Sequence, residues 1–136
     1  MKFKFLILYL FVCLFSTAAI ANAPKSIGKY KNWESFLLIT DKGKICFAQT
    51  VPSKRTPKDF KRGQSKLFVT FRPAENIKDE VSVTSGYSYK PSSVNAKSGK
   101  SNYSFFSQEL FGWLLDQKEE KNFIKLMKRA TNLVVT

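Results

Sequence analysis

The sequence Leu-Phe-Val-Thr-Phe-Arg at residues 67–72 alternates between two sets of side chains and stops at Pro73. Successive side chains of a strand lie on opposite faces, so this alternation is typical of a strand that is buried on one side. Proline ends the run because it cannot donate a hydrogen bond within a sheet. Residues 81–84, Val-Ser-Val-Thr, repeat the pattern and lead through Gly86 towards two tyrosines. The two runs together predict a mainly β fold.

Shorter alternating runs occupy much of the remaining chain. Turn residues separate them, and Asp41–Gly43 and Ser98–Lys100 each predict a tight turn that uses glycine. Further strands are predicted at residues 33–39, 45–50, 94–96, 103–107 and 133–135. The number and spacing of these runs predict an antiparallel β-sandwich-like domain.

One segment near the C-terminus changes to helical periodicity. Asp116 is suited to cap a helix, and Glu119 follows at the third helical position. Phe123, Ile124 and Met127 then recur at helical spacing, with lysines on the opposite side. We expect one short amphipathic α-helix here.

Composition limits the chemistry that the chain can perform. Its 136 residues include no His, two Cys, and 23 Lys and Arg against 10 Asp and Glu. The chain therefore has no imidazole base or imidazole metal ligand and too few cysteines for a Cys₄ zinc site. The acids fit turns and helix starts, so we expect no enzymatic activity, cofactor or metal. A small hydrolase would require two carboxylates in a deep pocket, one of them with a raised pKa.

The first 21 residues have the layout of a secretory signal peptide. Lys2 and Lys4 precede the apolar run Phe5–Phe15, and small residues follow up to Ala21. We expect cleavage after Ala21; cleavage after Ala23 and an uncleaved membrane anchor are the alternatives. Residues 22–136 would then form the domain. We expect it in the periplasm or secreted, in contact with the membrane only through the signal peptide before cleavage.

Removal of the leader would leave a strongly basic chain with a single thiol. Residues 22–136 carry 21 basic residues against 10 acids, a net charge of +11. Cys46 lies between Ile45 and Phe47 in a predicted strand, which favours a small buried core residue. An exposed thiol could instead pair with another chain.

The densest positive charge lies between two predicted strands. Pro52 and Pro57 argue against regular structure, so we expect a long basic loop. Its candidate polyanion-binding residues are Lys54, Arg55, Lys58, Lys61, Arg62 and Lys66. The alternative is a solvated loop that only keeps the protein soluble.

Four aromatic residues raise the question of whether the protein binds nucleic acid. Tyr87, Tyr89, Tyr103 and Phe105 could stack on bases, although such residues more often pack in a core or across strands. Because export places the protein away from nucleic acid, we do not expect nucleic acid as its natural partner.

Two blocks of sequence resemble the invasion-associated locus B family of exported bacterial proteins. They are residues 67–73, Leu-Phe-Val-Thr-Phe-Arg-Pro, and residues 80–90, Glu-Val-Ser-Val-Thr-Ser-Gly-Tyr-Ser-Tyr-Lys. The similarity covers roughly residues 31–135, with Trp33, Cys46 and Trp113 in the family's order. It implies a signal-bearing, mostly β domain in the envelope of alphaproteobacteria, in a virulence-associated family tied to entry into host cells, including erythrocytes. It implies no enzymatic activity or cofactor.

The positions that match the family motif have no assigned role. They are Arg62, Arg72, Glu80, Gly86 and Tyr87. We expect Gly86 to allow a positive φ or a bulge. We also expect Arg72 to pair with Glu80 across adjacent strands and so fix their register.

The chain departs from the family pattern near its C-terminus. Ala130 stands where the family usually has glycine after the helix, so the helix must be capped otherwise or end differently. Family members usually continue into a further strand, and without it residues 133–135 would have an unpaired edge. Such an edge predicts a homodimer or strand donation by a partner.

The resemblance and the charge pattern together predict an exported, non-catalytic binding or interaction module. Its expected partner is an anionic component of the envelope or of a host surface, bound through the basic loop. The alternatives are a periplasmic structural or chaperone-like protein that works by strand addition, and a general polyanion-binding protein.

Overall fold

The computed structural model describes residues 22–136, and the predicted signal peptide lies outside this range. The described part is mainly β, with 48% of its residues in strands and a single short helix, α1, at Gln117–Met127. A 3₁₀ turn covers Pro73–Glu75. The strands are β1 Lys25–Tyr30, β2 Trp33–Thr40, β3 Gly43–Thr50, β4 Lys66–Arg72, β5 Ile77–Thr84, β6 Val94–Ser98, β7 Ser101–Gln108, β8 Phe111–Trp113 and β9 Val134–Val135.

All nine strands belong to one open antiparallel sheet. Their order is β1-β2-β3-β4-β5-β8-β7-β6-β9, so the short strand β8 lies between β5 and β7. The prediction of a mainly β, antiparallel, sandwich-like domain with one short C-terminal helix is confirmed. Strands β1 and β8 were not predicted from the sequence.

The core lies where α1 covers the sheet. Val81 and Val83 of β5 and Phe105 of β7 are at most 1% exposed, and Phe123 of α1 is fully buried among them. The Phe105 and Phe123 rings meet edge to face, with their centroids 5.8 Å apart. Burial of a phenylalanine contributes about 2–3 kcal/mol. Phe123 is thus the main link between the helix and the sheet.

The two ends of α1 are stabilised differently. Oδ1 of Asp116 accepts the N–H groups of Lys118 and Glu119 at 2.9 Å each, which confirms the predicted N-cap. At the other end, the Ala130 N–H donates to the Leu126 carbonyl at 2.8 Å, and the C-cap residue keeps right-handed helical dihedrals. Because no left-handed residue is used, the helix ends without needing a glycine at position 130.

Strand β9 forms one edge of the sheet. Thr136 and Asn95 exchange two backbone hydrogen bonds of 2.8 Å, which pair β9 with β6. Val134 and Val135 are 55% and 36% exposed, and no strand of residues 22–136 lies beyond them. The predicted unpaired edge is therefore present within this part of the chain.

Cys46 is only partly buried, contrary to the expectation of a core residue. It lies opposite Leu37 on β2 and Phe71 on β4. Phe71 is itself 40% exposed, so this part of the sheet gives the thiol an incomplete cover. The thiol is free.

Candidate functional site

The basic loop, defined here as residues 51–65, joins β3 to β4 without regular secondary structure, as the two prolines predicted. Lys54, Arg55, Lys58 and Lys61 are exposed, whereas Arg62 and Lys66 are half-buried and Lys66 is already part of β4. Asp59 is the one acid in the loop. The structure thus places four of the six predicted cations on the exposed part of the basic loop, with Arg62 and Lys66 less accessible.

The two arginines of the basic loop hold its backbone. Nη1 of Arg55 donates to the Gly63 carbonyl at 3.2 Å, and Nη2 of Arg62 donates to the Thr56 carbonyl at 3.3 Å. Lys54, Lys58 and Lys61 form no ion pair with any residue of the described chain. Within the basic loop, these three lysines are therefore the cations most open to an external anion.

An aromatic cluster, formed by Phe60, Tyr87 and Tyr89, fastens the basic loop to the segment after β5. The Phe60 and Tyr87 rings are 5.5 Å apart and the Tyr87 and Tyr89 rings 5.3 Å apart, both edge to face. The Arg62 guanidinium lies 6.0 Å from the Phe60 ring centroid. The Tyr89 hydroxyl donates to Oγ of Ser85 at 2.7 Å, and burial raises the pKa of Tyr89.

The four aromatic residues considered for base stacking thus fall into two groups. Tyr103 and Phe105 pack against Phe123 in the core, with ring centroids 5.0 and 5.8 Å from it. Tyr87 and Tyr89 belong to the aromatic cluster, where Tyr87 remains 38% exposed. Core packing therefore accounts for the first pair and loop attachment for the second.

A backbone contact between two glycines also joins these loops. The Gly63 N–H donates to the Gly86 carbonyl at 2.8 Å, and Gly86 has a φ of +76°. A Cβ atom on Gly86 would overlap the Gly63 backbone. The expected positive φ of Gly86 is confirmed, and the close approach gives a second reason for glycine at this position.

The expected pairing of Arg72 with Glu80 is confirmed. Nη2 of Arg72 lies 2.7 Å from Oε2 of Glu80, and Nη1 lies 3.7 Å from Oε2 of Glu75. The β4–β5 register shifts between Thr70 and Arg72, so the ion pair spans the point where regular pairing is interrupted. Of the motif positions, Arg72, Glu80 and Gly86 therefore have structural roles in the β4–β5 region.

An open cleft of about 430 Å³ lies beside β5, β8 and the start of α1. Carboxylates line it at Glu80 and Glu120, together with the aromatic rings of Phe106 and Trp113. Glu120 is only 6% exposed, and its Oε1 accepts the Val81 N–H at 3.2 Å. It forms no ion pair with the described residues.

The electrostatic setting of Glu120 disfavours its charged form. Burial raises the pKa of Glu120, and the nearby carboxylates of Glu80, Asp79 and Asp116 raise it further, while the hydrogen bond from Val81 opposes them. Sequence reasoning assigned Glu120 only to the start of the helix. Glu120 precedes Phe123 by three residues and therefore lies on the apolar face of the helix. An acidic residue on an apolar face is the sequence signal that could have identified Glu120 as a candidate site residue.

The cleft meets part of the requirement that the sequence analysis gave for a small hydrolase, namely two carboxylates in a deep pocket, one of them with a raised pKa. It holds two carboxylates, and the pKa of one of them is raised. However, the cleft is open, and Glu80 is already bound to Arg72 at 2.7 Å. Only Glu120 is therefore free of an ion pair, whereas hydrolysis by two carboxylates would need both of them to be available.

Within residues 22–136, no group of three or more metal-ligating side chains comes together. No helix in that range is both long and apolar enough to cross a membrane. No family model matches the chain, and no curated protein or solved structure is significantly similar to it.

Proposed function

We propose that the chain is a non-catalytic binding module that attaches to an anionic surface through its basic loop. The observation that carries this proposal is the set of three exposed lysines, Lys54, Lys58 and Lys61, on a loop that has only Asp59 as an opposing charge. Lysines that are free of internal ion pairs can approach phosphate or sulfate groups without first breaking a contact.

The attachment of the loop supports this proposal. Two arginine–carbonyl hydrogen bonds order the loop internally. The Gly63–Gly86 contact and the aromatic cluster hold it against the segment after β5. A loop that is already ordered loses little conformational entropy when it binds, so more of the electrostatic attraction appears as affinity.

The location and family of the protein are part of the same proposal. The leader pattern of residues 1–21 supports export to the periplasm or beyond, with cleavage after Ala21. The sequence resemblance supports membership of the invasion-associated locus B family. The partner would then be an anionic component of the envelope or of a host surface, such as lipopolysaccharide or a sulfated glycosaminoglycan, and not nucleic acid.

The test is retention on immobilised heparin and on lipopolysaccharide as a function of salt. Lys54→Gln, Lys58→Gln and Lys61→Gln are combined in one loop variant. The matched control combines Lys100→Gln, Lys121→Gln and Lys125→Gln, which remove the same charge from exposed sites outside the loop. We expect the loop variant to elute at markedly lower salt and the control to elute near the parent. Equal losses from both variants would show a general charge effect and contradict a role for the loop.

The open edge at β9 favours a second candidate, a structural or chaperone-like protein that works by strand addition or forms a homodimer. Because Thr136 and Asn95 form a hydrogen-bonded pair, the N–H and carbonyl of the preceding Val135 face away from β6. Val135→Pro removes this outward donor. The candidate predicts concentration-dependent dimers by sedimentation that are weakened in Val135→Pro and unchanged in the loop variant.

A further inference from the structure

The cleft beside α1 is lined by carboxylates, although residues 22–136 as a whole are basic. In residues 22–136, with a net charge of +11, it brings together Glu80 and Glu120. Lys78 also lines the cleft, but no ion pair links it to either carboxylate. Glu120 is more than nine-tenths buried, with only the Val81 N–H bonded to its Oε1. A buried carboxylate without a cationic partner is costly, so a positively charged ligand would stabilise it.

Aromatic rings also line the cleft. Trp113 of β8 and Phe106 of β7 are cross-strand partners, so their side chains lie on the same face of the sheet. Phe106 is 45% exposed, and Leu115 beside it is 74% exposed. Aromatic faces attract organic cations, while exposed apolar side chains favour a ligand with an apolar body.

We propose that this cleft binds an organic cation, an ammonium or guanidinium group carried on an apolar or aromatic body. The cationic group pairs with Glu120 and lies against the Trp113 ring, and the apolar body contacts Phe106 and Leu115. Glu80 also lines the cleft, but its charge is already neutralised by Arg72, so it does not pair with the ligand. Such a group is found on basic amphipathic peptides and on small aromatic amines.

The titration of Glu120 supports the choice of a cation. The acids that face Glu120 are Glu80 and Asp79 on β5 and Asp116 at the start of α1, and the cleft also contains Lys78. Burial and these acids raise the pKa of Glu120. A bound cation counteracts both effects and lowers that pKa. Binding should therefore strengthen as the pH rises through the pKa of Glu120.

The probe is benzylammonium, added to the purified isotope-labelled chain and followed by two-dimensional NMR. Benzyl alcohol serves as the neutral ligand of the same shape. The Val81 amide reports on the Glu120 carboxylate, the Trp113 indole reports on the aromatic wall, and the Trp33 indole serves as an internal reference. We expect benzylammonium to shift the Val81 and Trp113 signals in a saturable way, with little change at Trp33. Equal shifts with benzyl alcohol would overturn the proposal, because apolar contact would then suffice.

Glu120→Gln separates the role of the charge from that of the fold. Its carbonyl oxygen can still accept the Val81 N–H, so the helix stays attached while the negative charge is lost. We expect benzylammonium affinity to fall at least tenfold in Glu120→Gln and to stay within twofold in Glu119→Gln, an exposed acid at the adjacent position. Unchanged affinity in Glu120→Gln would refute the assignment. The three-lysine loop variant should bind benzylammonium normally, which keeps this result independent of the basic loop.

Discussion

The sheet has a helix-covered part and an open part, and the strands of the two parts are buried to different extents. Val81, Val83 and Phe105 lie under α1 and are at most 1% exposed. At the opposite end, β1 is exposed along its whole length, and β2 and β3 are mostly half-buried. Strands thus form with or without a covering helix, but a core forms only where a second layer removes the apolar face of the sheet from water.

A ladder of aromatic side chains connects the two parts. Phe36 and Phe47 stack at 5.1 Å, and contacts of 6.2, 6.3 and 5.9 Å continue the row through Phe68 and Phe111 to Trp113. The Phe36–Phe47 and Phe47–Phe68 contacts join neighbouring strands, the Phe68–Phe111 contact spans β5, and the Phe111–Trp113 contact lies within β8. Such contacts along one sheet stabilise it without a covering layer. The open part therefore relies on contacts within the sheet, and the covered part relies on contacts between layers.

The largest effect should come from removing the main contact between these layers. Phe123→Ala leaves a cavity in the core, and we expect the free energy of unfolding to fall by about 3–5 kcal/mol. Phe36→Ala, in the ladder of the open part, should cost about 1–2 kcal/mol because its ring is only half-buried. Urea denaturation measures both values. Equal losses would contradict the distinction between the two parts.

The next effect concerns the glycine contact beside the covered part. In Gly86→Ala the new methyl group meets the Gly63 backbone and the residue keeps a positive φ, so we expect a loss of about 2–3 kcal/mol. Gly99→Ala is the matched control, since Gly99 has a φ of +57° with open space around its Cβ position. The difference between the two variants measures the crowding alone. Identical losses would mean that the loop contact contributes nothing.

A smaller effect is expected where the open and covered parts meet, between β4 and β5. A double-mutant cycle of Arg72→Met and Glu80→Gln should give a coupling energy of up to about 1 kcal/mol, because solvent screens this partly exposed pair. Thermal or urea unfolding of the four proteins provides the cycle. A coupling energy near zero would show that the Arg72–Glu80 ion pair does not stabilise the β4–β5 register and that backbone pairing alone fixes it.

The smallest effect is the pH dependence that Glu120 gives to the covered part. Its pKa is higher in the folded chain than in the unfolded chain, so the folded state binds more protons between the two values. Its contribution to stability therefore decreases as pH rises through that window, and Glu120→Gln should remove this decrease. Glu119→Gln should retain it. Unfolding midpoints between about pH 4 and 7 cover the ordinary carboxyl range and the values just above it.

The sequence predicted the parts of this molecule that depend on neighbouring residues. The alternation at residues 67–72 and 81–84, the Asp116 cap and the apolar positions of α1 are local patterns, and each appears as expected. The Arg72–Glu80 pair was also anticipated, because adjacent strands place the two residues close together.

The features that were missed depend on distant residues. Strand β8 has three residues with Gly112 at its centre, too few to show a period, and its place between β5 and β7 follows from packing against Val83 and Phe105. Strand β1 is exposed on both faces, so it has no alternation to detect. The cleft combines Glu80, Glu120 and Trp113 from three separate elements, which no spacing along the chain indicates.

The meeting of Gly63 and Gly86 has a consequence for the evolution and redesign of the basic loop. The contact uses only main-chain atoms, so this part of the attachment does not depend on the side chains of Lys54, Lys58 and Lys61. Positions 54, 58 and 61 can therefore accept other side chains at little cost in stability, whereas Gly86, with its positive φ and its close approach to the Gly63 backbone, should tolerate almost no substitution in a saturation library. In the β3–β4 connection, the exposed lysine positions can therefore change while the backbone contact that holds the loop stays the same.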